Sequence, residues 1–221
     1  MTSNSTARFT RTAPTSAAEF ARRFEEMKRF TRFGDAEAAV LRELCVHAKP
    51  HFADIAREFY ERVREHEEAH AVFEGEAQIA RLHGALVNWL ERVLTGPYDA
   101  AYCAKSLRIG RVHVRVGLEQ RYMFAAMDLF RLRLKAIAHA SMGDQATAAA
   151  SALARILDIE LALMNESFRE AMTERAERLR QVRWERDWTD EAQLRYVHAV
   201  ELAGVMIIVL DREGRVRLFN R

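Results

Sequence analysis

The sequence predicts an all-α domain with a long C-terminal helix, followed by the first part of a small α/β module. Three observations carry this reading. The chain has 221 residues but only 9 glycines and 3 prolines, so few positions break a helix. Apolar residues recur every three or four positions through most of residues 18–178. Residues 198–221 then change to β-rich runs around a turn.

Each element follows from local chemistry. Residues 1–17 are polar and Thr/Ser-rich, a disordered leader. A short amphipathic helix is expected over 18–30, closed by Gly34, with Asp35 as N-cap of the next. Residues 35–48 place Ala39, Val40, Leu41 and Leu44 at helical spacing. Pro50 suits a helix's first turn and opens one to about residue 67, with Phe52, Ile55, Ala56, Phe59, Tyr60 and Val63 on one face. Further helices are expected over 77–94, ended by Thr95-Gly96-Pro97, and over 99–116, with Gly117 as C-cap. Another covers 119–141, ended by Gly143. The last long helix starts near Asp144, and Leu153, Leu157, Leu161, Met164, Phe168 and Ala171 form a seam suited to another helix. Residues 174–186 are so charged that they read as a solvated connector or coiled-coil extension, and 179–197 are expected to form a helical linker. Residues 204–210 and 215–219 read as two strands, joined by a turn at 211–214 that ends in Gly214. A lone hairpin is marginal in water, so a domain cut short at Arg221 is expected.

Composition narrows the function classes. Apolar residues make up 49% of the chain, enough for a sizeable core. A net charge of +2, with no long basic run, gives no reason to expect nucleic acid. Cys45 and Cys103 are far apart and form no zinc spacing, which suits small apolar packing in a reduced compartment. The longest clean apolar run, 202–210, is far short of the ~20 residues of a membrane span, and the N-terminus carries no secretory pattern. A cytoplasmic location is expected.

The chemistry concentrates around residues 108–118. His113 has Ile109 four positions before it and Val116 three after, which sets it on an apolar helix face. Burial favours a neutral imidazole, and a neutral imidazole is a good iron ligand. The same pattern also fits a core histidine whose ring finds an ordinary hydrogen bond. Tyr60 shares a face with Phe52, Ile55, Phe59 and Val63, so its hydroxyl needs a partner. That partner is either a backbone carbonyl or a ligand in a cavity. His66 and His70 stand four apart, but no third ligand accompanies them.

The run Arg111, His113, Arg115, Gly117, Leu118 resembles the iron-ligand motif of globin-coupled sensors, a bacterial and archaeal family. Tyr60, following Phe59, matches the family's distal tyrosine in order and separation from the histidine. Arg81-Leu82 resembles the opening of the distal helix, and the segment 96–99 resembles the break before the ligand helix. The resemblance covers roughly residues 20–178. It implies a globin-like helical fold holding haem b, with His113 on the iron and Tyr60 facing oxygen, or carbon monoxide or nitric oxide. It implies pocket walls from Leu82, Leu86, Phe73, Ile109 and Val116, with Tyr122 as the aromatic of the following helix. His83, one residue past Leu82, is expected to turn outward. Ala85 stands where some members carry a polar residue, and Met123 where some carry a second aromatic. The resemblance also implies a homodimer through the last two long helices, and a C-terminal output such as a diguanylate cyclase, a histidine kinase or a chemotaxis transducer. The fragment itself is expected not to be an enzyme. Residues 198–221 resemble the opening hairpin of a PAS domain. Two other readings stay open: a haem-free globin-fold dimerisation and relay module, and a haem enzyme consuming oxygen or nitric oxide. The last needs an electron source, and the chain has no flavin- or nicotinamide-binding fingerprint.

Overall fold

A computed structural model describes residues 16–202, 208–210 and 215–219. The helices are α1 (Ala17–Phe30), α2 (Asp35–Ala48), α3 (Phe52–Arg64), α4 (Glu67–His70), α5 (Glu76–Thr95), α6 (Ala100–Arg115), α7 (Gln120–Ser141) and α8 (Ala146–Leu202). Strands β1 (Ile208–Leu210) and β2 (Val216–Phe219) follow. The chain divides into two units, residues 1–171 and 172–221.

The first unit is a two-layered helical sandwich. α2 and α3 both pack on α5 and α7, and α1 packs on α6. Phe20 and Phe24 anchor α1, and the Phe24 ring stacks on Tyr102 of α6 at 5.9 Å. Leu41, Leu44, Leu90, Leu94, Leu134, Leu153 and Leu157 are fully buried at the centre. Each such side chain contributes about 1.5–3 kcal/mol of apolar burial. Cys45 and Cys103 are free and buried, and burial pushes the Cys103 thiol up to about 11.

Several ends differ from the sequence expectation. Ser16 already caps α1, accepting the Glu19 N–H at 3.2 Å, so the helix claims part of the expected leader. Residues 1–15 lie outside the described residues. Gly34, not Asp35, is the N-cap of α2, and the Glu37 carboxylate accepts the Gly34 N–H at 3.0 Å. The buried face of α2 is Ala38, Leu41, Leu44, Cys45 and Ala48, which turns Ala39 to solvent. Pro50 sits in a 3₁₀ turn, Lys49–His51, and α3 starts only at Phe52. α3 stops at Arg64, and Glu67–His70 forms a separate turn of helix.

The expected seam on α8 holds at three positions and shifts at two. Leu153, Leu157 and Met164 are buried in the core of their own unit, while Leu161 and Phe168 are half-buried at its flank. The stripe that faces the core also carries two polar residues, Glu160 and Ser167. The run 174–186, read as a solvated connector or a coiled-coil extension, is helical and continuous with α8.

In the second unit, Leu179, Val182, Trp184 and Trp188 are exposed on α8, and the two indoles stack at 5.9 Å. β1 and β2 pair antiparallel, with Ile208 opposite Phe219 and Val209 opposite Leu218, and a register shift after Val209. The expected turn at 211–214 lies outside the described residues, as do 203–207 and 220–221, and with them most of the expected PAS opening. Among the described residues, no helix is long and apolar enough to cross a membrane.

Candidate functional site

The site begins with the end of α6. Gly117 has φ +76°, a left-handed conformation that favours glycine. It lets the chain reverse so that the Gly117 N–H donates to the Val114 carbonyl at 3.1 Å, and the Leu118 N–H to the His113 carbonyl at 3.0 Å. This pair of bonds is a Schellman cap. The Gly-Leu that follows His113 is therefore a backbone device: it locks the last turn of α6, and with it the histidine.

His113 itself is largely enclosed. Its Nδ1 is buried and has no hydrogen-bond partner among the described residues. Burial pushes the imidazole below its ordinary value, which keeps the ring neutral. An enclosed, unpartnered ring nitrogen is uncommon in a residue kept for packing alone. A neutral imidazole can coordinate a metal.

Tyr60 on α3 is 6% exposed, and its hydroxyl makes no hydrogen bond to the described residues. Burial pushes the phenol up to about 12, so it remains a donor at any ordinary pH. An aromatic cluster holds its ring. Phe59 lies edge-on at 4.9 Å, Phe73 edge-on at 6.1 Å, and His83 stacks on it at 6.4 Å. His83 was expected to face outward, and the structure corrects this. α5 packs on α3, which brings the His83 ring over Tyr60, and His83 Nε2 lies 3.1 Å from the Ala53 carbonyl. A carbonyl can only accept, so Nε2 carries the proton.

The expected wall residues are distributed as follows. Leu82, Leu86 and Ile109 are half-buried, and Leu86 and Ile109 pack against the core. Val116 caps α6 and is 41% exposed. Tyr122 is engaged elsewhere: its hydroxyl donates to Glu68 at 3.1 Å, and its ring lies 6.0 Å from His66. Only the ring of Tyr122 is left for the candidate site. α5 and α6 are joined by a short break yet share too few contacts to pack on each other, unlike α5 with α2 or α3. Among the described residues, no group of three His, Cys, Asp or Glu side chains could hold a metal ion, so His66 and His70 gain no third ligand.

Sequence reasoning missed one part of this region. Glu160, Ser106 and Ser167 are buried polar residues between α6 and α8. Glu160 Oε1 accepts from Ser106 Oγ at 2.6 Å, and Oε2 from Trp89 Nε1 of α5 at 3.2 Å. Their signal was present, because Glu160 lies four residues after Ile156 and four before Met164, inside the apolar stripe.

A family model described as Protoglobin matches residues 20–174. Among solved structures, the chain is similar to the globin domain of the Geobacter sulfurreducens globin-coupled sensor. That match has 28% identity and a TM-score of 0.63, covering 66% of this chain and 97% of that one. The globin domain of E. coli DosC in its ferric form is 19% identical with a TM-score of 0.56, covering 65% of this chain and 97% of that one. Its ferrous form is also 19% identical at 0.56, covering 66% and 99%. At that identity the likeness is one of fold. The globin arrangement of α1–α8, the matched span and the capped histidine motif together place this chain in the protoglobin family.

Proposed function

We propose that this chain is a haem-based sensor of a diatomic gas, with oxygen as its natural ligand and carbon monoxide and nitric oxide as alternatives. The observation that carries the reading is the state of His113: neutral, enclosed, without a partner at Nδ1, and fixed at the capped end of α6. The residues fit haem b. His113 would hold the iron, and Leu82, Leu86, Ile109 and Val116 would lie along the porphyrin, with the ring of Tyr122 beside them. When bound, haem would supply what no side chain here can, an iron that coordinates a diatomic gas.

The chain's own part is positional. Burial keeps the His113 imidazole unprotonated, so no proton competes for its lone pair. Tyr60 keeps its proton and has a hydroxyl free to donate to the partly negative gas. Phe59, Phe73 and His83 hold that ring in place. Leu82, Leu86 and Ile109, half-buried, would shield that donor from part of the solvent.

We read the output as passing through α8 in a homodimer built on α7 and α8. Phe124 and Leu132 of α7 are 49% and 56% exposed, which suits a covered face. A reducing, cytoplasmic setting agrees with two free cysteines. The antiparallel β1–β2 pair fits the start of a PAS-like module after residue 198.

Reconstitution with haem tests the reading. The purified chain should bind haem with a Soret band that shifts when carbon monoxide is added to the reduced protein. A chain that acquires no Soret band would instead be a haem-free helical module.

A further inference from the structure

Glu160 lies fully buried in α8, and its two carboxylate oxygens are divided between two other helices. Oε1 takes the Ser106 hydroxyl of α6 and Oε2 takes the Trp89 indole N–H of α5. Ser106 is itself fully buried. The Arg92 guanidinium sits 5.0 Å over the Tyr102 ring and brings positive charge into the same cluster. Two turns along α8, Ser167 Oγ donates to the Leu107 carbonyl of α6 at 3.0 Å. Gly110 then brings the two backbones together, for a Cβ there would stand 2.8 Å from the Met164 carbonyl oxygen. Arg111 reaches Glu170 at 3.4 Å and extends the seam.

This seam lies on the helix that carries His113: Gly110 and Arg111 are within one turn of it and Ser106 about two turns away. α5 and α6 share few direct contacts, and Glu160 gives them a common partner. We infer that Glu160 is a positioning residue for signalling, which couples the spacing of α5 and α6 to α8. The inference rests on the proposed gas-sensing function. A buried carboxyl that loses a donor is left with an unsatisfied oxygen in surroundings of low dielectric. α8 therefore follows whichever helix moves. At Gly110 no side chain lies between α6 and α8 to absorb the movement. The coupling is reciprocal, so the position of α8 also biases gas affinity.

Hydrogen exchange of the full, haem-loaded, ferrous chain, with and without carbon monoxide, tests this. The Soret band reports haem and gas binding in every variant, independently of α8. In the wild type, carbon monoxide should change exchange several-fold at the α8 amides flanking Glu160 and Ser167. In Ser106→Ala the Soret shift should remain and the exchange change should be lost. Trp89→Phe cuts the other tether and serves if Ser106→Ala fails to fold. Leu44→Ala, a core truncation in α2, should lower stability yet keep the change, which a merely structural role for Ser106 could not explain. An exchange change that survives in the tether variants overturns the inference, as does its absence from a wild type whose Soret band shifts. A wild type without a Soret band fails the haem reading itself, and absorbance identifies that case before exchange is measured.

Discussion

The Leu118 N–H donates to the His113 carbonyl at 3.0 Å, and this bond lets a glycine four residues away control the candidate iron ligand. Gly117 at φ +76° makes the bond possible, and a Cβ there would meet nothing within 4 Å. Gly117→Ala should therefore cost about 1–2 kcal/mol through backbone strain alone. α1 ends the same way, except that Arg32 holds the left-handed position at φ 53°, with the Phe33 N–H on the Lys28 carbonyl. Arg32→Gly should stabilise by about 1 kcal/mol. Denaturant midpoints of the two variants check the opposite signs.

Two helical glycines should likewise respond in opposite directions. Gly84 in α5 has open space around a built Cβ, so Gly84→Ala should stabilise the haem-free chain by about 0.5–1 kcal/mol through helix propensity. A Cβ at Gly110 would stand 2.8–2.9 Å from Met164 and Ser167 atoms, so Gly110→Ala should destabilise by about 1–3 kcal/mol through overpacking. Thermal unfolding of both variants beside wild type decides the matter.

Tyr60 gives a kinetic expectation. Tyr60→Phe should retain haem and release oxygen about tenfold faster, the equivalent of about 1.4 kcal/mol. Because burial holds the phenol near 12, the wild-type oxygen off-rate should be flat from about pH 6 to 10. Stopped-flow release at several pH values measures both.

Glu37 gives a pH dependence of stability. The Gly34 N–H, and then Arg155, hold its carboxyl below the ordinary value of 4.5. A carboxyl more acidic in the folded than in the unfolded chain stabilises the fold above its unfolded value. That contribution fades as pH falls from 4.5 through the folded value. Wild type should exceed Glu37→Gln in stability at pH 7, and the gap should close in acid. A gap of constant size from pH 7 to 3 would contradict this.

The fold was legible where breakers punctuate a strong apolar period. Gly34, the Gly96-Pro97 pair, Gly117 and Gly143 each lie where a helix ends or begins. α4 was missed because its four residues, Glu67–His70, bury only Ala69 and so show no period. The polar run after residue 174 read equally as a connector or a helical extension because a helix with few buried contacts leaves no apolar stripe to read. At the site, His113 and Tyr60 stood out because a polar group on an apolar face is conspicuous. His83 did not, because its position is set by the packing of α5 on α3, which angular arithmetic along one helix does not contain. In the α8 seam, Leu153, Leu157 and Met164 are buried as read, but Leu161 and Phe168 drew attention by being apolar while their neighbours Glu160 and Ser167 are the buried residues.

The most direct measurement of the central claim is the iron–histidine stretching band in the resonance Raman spectrum of the ferrous, gas-free protein. Wild type should show it, and His113→Gly should lose it and regain an iron–imidazole band when imidazole is added. An unchanged band in His113→Gly without imidazole would show that another residue holds the iron, and would contradict the account.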